Sequence, residues 1–141
     1  MLTANECLKR YGPPEKEAAM RLWTVPDAFH IPVIPRRIYC NKDMIGPLTV
    51  AFTYLIQRGL TEEIRTWDGC FNIRKKRGGR SPSLHSFGCA IDLNAAWNPF
   101  GRKGTMNPEI VKCFKEAGFD WGGDWTTPDF MHFQLKRLPP L

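Results

Sequence analysis

The chain has 141 residues, of which 43% are hydrophobic and 24% charged, with five tryptophans and nine phenylalanines. That is the composition of one soluble globular domain, and no stretch approaches the run of about 18 apolar residues that an integral membrane segment requires. Lys and Arg exceed Asp and Glu by 20 to 14, which favours an anionic partner without choosing among nucleic acid, lipid head groups and an acidic wall polymer. The five cysteines form no CxxC pair, so neither a disulfide framework nor a thiolate zinc site is indicated and all five are read as reduced.

Thr3 and Glu6 have capping-box spacing, which predicts a short first helix ending at Gly12 before Pro13 and Pro14. Glu15 to Trp23 reads as a second helix with Ala18, Ala19 and Leu22 on one face, and prolines 26, 32 and 35 cut the following stretch into extended pieces. With Asp43 as N-cap, Leu48, Phe52, Leu55 and Ile56 recur at helical spacing until Gly59, the principal core helix. Ile64 to Gly69 reads as a strand, Gly88 to Leu93 as a core strand, Pro108 to Ala117 as a helix and Phe130 to Leu135 as a last strand. Helices and strands do not alternate as a doubly wound sheet would demand, so the expected class is α+β, a small antiparallel sheet with flanking helices in a single domain. Residues 1–35 would be a helical, proline-rich extension of that domain.

Arg58, Arg65, Arg74, Lys75, Lys76, Arg77 and Arg80 crowd together, and the densest part, RKKRGGR, reads as a flexible, solvated loop. Without aromatic interleaving or a recognition-helix pattern it gives little ground for nucleic-acid binding, and no nucleic-acid partner is expected. The N-terminal sequence lacks a signal peptide's basic start, apolar core and cleavage site, so synthesis in the cytoplasm is expected.

Only three histidines are present. Two of them, His85 and His132, stand near Asp92 and Asp129. A catalytic zinc site takes three ligands from His and carboxylate and leaves a position for water, and His85, Asp92 and His132 could supply such a set. The odd offset between His85 and Asp92 excludes both from one face of a continuous strand, so His85 belongs to a turn, with Gly88 supplying permissive backbone. Ala90 and Asp92 then share one face while Cys89, Ile91 and Leu93 enter the core. Asp129 can converge on His132 from a turn at Pro128, and a non-ligand carboxylate there would serve as general base. Spacing alone is equally met by surface ion pairs or buried, hydrogen-bonded histidines.

The segment SPSLHSFGCAIDLN, Ser81 to Asn94, resembles the SxHxxGxAxD signature of the M15 peptidases, the D-alanyl-D-alanine carboxypeptidase and L-alanyl-D-glutamate endopeptidase family, with Ser83, His85, Gly88, Ala90 and Asp92 at the fixed positions. GFDWGGDWTTPDFMHFQ, Gly118 to Gln134, is similar to that family's GGDW segment followed by DxxHF. The resemblance spans about residues 36–135. It implies a hedgehog/DD-peptidase-like fold, a Zn2+ cofactor held by His85, Asp92 and His132, Asp129 as the catalytic carboxylate, and a peptidoglycan stem peptide as substrate. TWDGCFNIR resembles the family's segment bearing a substrate-contacting arginine, here Arg74, where a fixed donor to a developing oxyanion can contribute about 3 kcal/mol.

Asp129 is a methylene shorter than the glutamate of the family's dipeptidases and carboxypeptidases, which points by resemblance to the L-alanyl-D-glutamate endopeptidases of phage and prophage. Such an enzyme would work as a monomer and reach the wall through holin-type release or as part of a virion. The alternatives are a D-alanyl-D-alanine carboxypeptidase of the same family and a zinc-containing, non-catalytic wall-binding module. Ser83 is a candidate to orient a ligand or bind substrate, Asp124 to hold a ligand histidine, and Trp121 and Trp125 to wall the cleft, one of them packing in the core. His30, beside Phe29 and away from the motifs, reads as structural or exposed.

Overall fold

The computed structural model describes residues Met1–Leu141 as an α+β domain. In chain order the elements are α1 (Ala4–Tyr11), β1 (Met20–Thr24), β2 (Arg37–Asn41), α2 (Ile45–Gln57), β3 (Trp67–Gly69), β4 (Ala90–Leu93), α3 (Pro108–Glu116), β5 (Phe119–Trp121) and β6 (His132–Leu135). β1 and β2 form an antiparallel hairpin, and the other four strands make an antiparallel sheet in the order β3-β4-β6-β5. No helix is long and apolar enough to cross a membrane.

α1 forms as its cap dictates: the Thr3 hydroxyl accepts from Glu6 N at 3.2 Å, Glu6 reaches back to Thr3 N at 2.8 Å, and Gly12 ends the helix at φ +78°. The helix expected over Glu15 to Trp23 is not there. Pro14–Lys16 make one 3-10 turn, Glu17 turns the chain at φ +51°, and Met20–Thr24 pair with β2. Cross-strand pairing outweighs the helical spacing of Ala18, Ala19 and Leu22, and Leu22 is exposed. α2 also starts later than expected. Asp43 does not cap it: Met44 is the residue before the helix and offers no side-chain cap, while Asn41 caps the 3-10 turn over Lys42–Met44 that leads into it, its Oδ1 accepting from Asp43 N at 2.9 Å. Leu48, Phe52 and Leu55 are buried as expected, while Ile56 lies at the surface.

The face of β4 and β6 that carries Ile91, Leu93, Phe133 and Leu135 packs into the core, where Phe133 stacks on Phe114 of α3 at 4.5 Å and Phe114 meets Phe119 edge to face at 5.3 Å. Leu2, Cys7, Val25, Ile31 and Ile34 belong to the same buried cluster, so the N-terminal third is built into the core. His30 is structural, its Nε2 lying 2.7 Å from the Ile34 carbonyl. All five cysteines are free and buried, and burial pushes the Cys40 thiol up to about 12.

Candidate metal centre and catalytic cleft

β4 and β6 are central strands, and their second face carries Ala90 and Asp92 on one and His132 and Gln134 on the other. Asp92 is the direct cross-strand partner of His132, a register that brings side chains on one face to about 5 Å. His85 arrives from outside the sheet, as its odd offset from Asp92 required. It lies in a 3-10 turn over Leu84–Phe87, capped by the Ser83 hydroxyl, which accepts from His85 N at 3.3 Å, and closed by Gly88 at φ +67°. A Cβ at Gly88 would lie 2.6 Å from Met20 Sδ and 2.7 Å from Asn41 N. Gly88→Ala is therefore expected to destabilise the fold by about 2–4 kcal/mol through combined strain and overpacking, read as a lowered urea midpoint at unchanged slope.

These placements gather His85, Asp92 and His132 so that one ligand atom from each lies within 4.8 Å of the others, all buried. His85 Nε2 is 3.2 Å from Asp92 Oδ2, and His132 Nδ1 is 3.4 Å from Asp92 Oδ1. The outer nitrogens fix the tautomers. His85 Nδ1 sits 2.7 Å from the Cys70 carbonyl, which only accepts, so Nδ1 carries the proton and Nε2 turns a lone pair inward. His132 Nε2 donates to Gln134 Oε1 at 2.9 Å, which turns the Nδ1 lone pair inward as well, and Gln134 is oriented by donating its Nε2 to the Leu2 carbonyl at 3.5 Å.

Two imidazole lone pairs and a carboxylate thus converge with no proton assigned between them. His85 Nε2 and Asp92 Oδ1 are buried with no hydrogen-bond partner in the protein, a costly arrangement unless a cation satisfies them. Burial alone would raise the Asp92 carboxyl, but when no cation takes the inner lone pairs and those nitrogens carry protons, His132 and His85 outweigh burial and hold it below the usual carboxylate range. Two nitrogens, one oxygen and tautomers locked from outside fit a zinc ion with one side left open. Gln134→Leu is expected to weaken metal binding about 10–100-fold by releasing the His132 ring, measured by competition with a chromophoric chelator.

Asp129 lies just ahead of the turn into β6, with its carbonyl accepting from His132 N at 3.1 Å and its own N–H donating to Gly122 O at 2.9 Å. It is 6% exposed and its Oδ1 has no hydrogen-bond partner in the protein. Burial raises its carboxyl above the ordinary value against the pull of His132, and Asp92 adds to the rise. A Cβ on Gly122 would collide with the Asp129 carbonyl, so the glycine is what lets the two segments approach.

The cluster opens into a cleft of about 720 Å³ lined by Arg74, Ser83, Asp124, Trp125, Asp129 and His132 among others. The Trp125 ring stands 5.1 Å from that of His132 and walls the site, whereas Trp121 packs against Phe130 at 4.6 Å and donates Nε1 to its carbonyl. Asp124 holds neither ligand histidine; its carboxylate pairs with Lys115 at 2.6 Å. Gln134 and the Cys70 carbonyl fill that place, and neither is visible as a motif. Arg74 is half-buried, its backbone clasped by Ser86, whose Oγ accepts from Arg74 N at 3.1 Å and donates to its carbonyl at 2.9 Å. Arg77, exposed and not singled out in the sequence, also lines the cleft, with Nη1 3.8 Å from Met131 Sδ. Residues Leu2–Ala4 complete the opposite rim.

Residues 76–135 match an M15 peptidase family model described as D-alanyl-D-alanine carboxypeptidase. That span holds both histidine motifs, all three ligand candidates and Asp129. Among solved structures, the chain is similar to the crystal structure of Serratia marcescens L-Ala D-Glu endopeptidase ChiX, at 20% identity over 68% of this chain and 80% of that one, with a TM-score of 0.45.

Proposed function

We propose that this chain is a zinc-dependent peptidase that cleaves the peptide stem of peptidoglycan, with His85, Asp92 and His132 holding the metal and Asp129 as general base. The observation that carries the reading is the buried, unpaired Asp129 carboxylate beside a His-Asp-His set whose lone pairs all face inward. When bound, zinc supplies a Lewis acid for the scissile carbonyl and acidifies water to a pKa of about 7. Asp129 accepts the proton of the attacking water and returns it to the leaving amine, a task suited to a carboxyl raised by burial. Arg74, fixed at the cleft wall by Ser86, is the donor that steadies the carbonyl oxygen as it gains charge. Trp125 and the walls around it keep bulk water from the reacting atoms.

The preferred bond is the L-alanyl-D-glutamate amide, supported by the shorter base at position 129. The second reading, removal of D-alanine, is favoured by the description of the matching family model. Mass spectrometry of fragments released from purified peptidoglycan distinguishes them, because a new D-glutamate amino end and free D-alanine are different products. Release of neither by the zinc-loaded protein would refute the peptidase reading and leave a wall-binding module. The biological setting we propose is that of a phage or prophage lysin, to which the formal charge of +6 adds attraction to an anionic envelope.

A further inference from the structure

We propose that Lys76 and Arg77 form a carboxylate-binding subsite at the rim of the cleft, so that the chain selects peptides carrying a free carboxylate within about three residues of the bond cleaved. The inference rests on the peptidase reading for its substrate and on the geometry below for the subsite.

The basic run is exposed to solvent, as its composition suggests, but its backbone is tied down. Lys75 and Pro82 form an antiparallel bridge, Lys76 N donates to Ser81 O at 2.7 Å, Gly79 N donates to Lys76 O at 3.0 Å, and Gly78 takes φ +71° at the tip. This tight hairpin is tied to the metal-bearing turn, because Ser83 N donates to Arg74 O at 2.9 Å. The aromatic partners missing from the local sequence are supplied in space. Lys76 Nζ lies 5.4 Å over the Trp125 ring, and Arg77 Cζ lies 5.8 Å from the Phe100 ring while its Nη1 faces Met131. Both cations are thereby directed along the cleft wall.

None of these cations is held in an ion pair, although the charge of Arg77 reaches the Asp129 carboxylate. Arg74, Lys76 and Arg77 take part in none of the chain's ion pairs, and of the two acids lining the cleft, Asp124 is engaged by Lys115. The remaining acid, Asp129, is the base. Unpaired cations over aromatic faces, beside a site that takes peptides, call for an anionic group on the ligand, and a guanidinium and an ammonium together suit a carboxylate. One indole separates Lys76 from His132, a distance covered by no more than about three residues of extended peptide at ~3.5 Å each.

The test uses the zinc-loaded Asp129→Asn protein, in which turnover is slowed, and two synthetic stem peptides, one with free carboxylates and one with every carboxylate amidated. Calorimetry is expected to give about tenfold tighter binding of the acid, equivalent to about 1.4 kcal/mol. Adding Lys76→Gln with Arg77→Gln should bring the ratio below about twofold, while Lys76→Arg with Arg77→Lys should preserve it. Equal affinity for the two peptides, no measurable binding of the acid, or a preference unchanged in the doubly neutral variant would overturn the subsite. If the acid is preferred but the unmutated protein cleaves neither peptide, the subsite stands and the peptidase reading falls.

Discussion

Asp129→Asn is expected to lower kcat/KM on stem peptides by about 10²–10⁴-fold while leaving the metal content at one ion per chain. Asn has the shape of Asp, and the contacts that place this residue run through its backbone, to Gly122 O and from His132 N. The substitution therefore removes a proton acceptor without moving its neighbours. Asp129 is outside the group of converging ligand atoms, so metal binding should not follow activity down. Stability should hold as well, because the carboxylate is buried with one oxygen unpaired, and neutralising such a group relieves a desolvation cost. A variant retaining activity within tenfold of the parent, at equal metal content, would show that the proton goes elsewhere.

The candidate site was legible because its chemistry concentrates in two short segments. Histidine is scarce, the odd offsets to the nearby aspartates forbid a single strand, and those facts alone placed His85 in a turn closed by Gly88 and Asp129 ahead of β6. What spacing left open was the pairing of β4 with β6, the register that sets Asp92 opposite His132. Registers are decided by long-range packing, here by Phe133 against Phe114, and leave no local trace. The residues that hold the ligands from behind were hidden for the same reason. Cys70 contributes only a backbone carbonyl, and Gln134 is one polar residue in an apolar strand.

The N-terminal third shows the opposite failure. Ala18, Ala19 and Leu22 fit a helical face, but the left-handed Glu17 ends the first turn before a helix can propagate, and β2 offers five paired residues instead. The basic run is exposed as its composition suggested, and what composition left out is that Gly78 supplies the positive φ of a turn and that the aromatics beside its cations, Phe100 and Trp125, come from distant segments.

Asp92→Ala is expected to abolish metal binding and activity together, and to remove the dependence of thermal stability on the metal. Two histidines without the carboxylate between them keep inward lone pairs but lose the one anionic ligand, the group that joins both rings. For the parent protein, an ion present at about a thousandfold over its dissociation constant stabilises the fold by about 4 kcal/mol, which for a domain of this size is on the order of 10 °C in Tm. Chelation should therefore lower the parent's Tm by that amount and leave the Tm of Asp92→Ala unchanged. The metal-free states also differ in a useful way. In the metal-free parent the inner nitrogens of His85 and His132, when they carry protons in place of the cation, offset the burial of Asp92 and hold its carboxyl below the usual range, so its removal takes away an attraction as well as a desolvation cost. The metal-free parent and the variant should then melt within a few degrees of each other, and the difference produced by chelation isolates the contribution of the ion. A parent Tm unmoved by chelation, with zinc shown to have been bound beforehand, would mean that the three residues do not form the site.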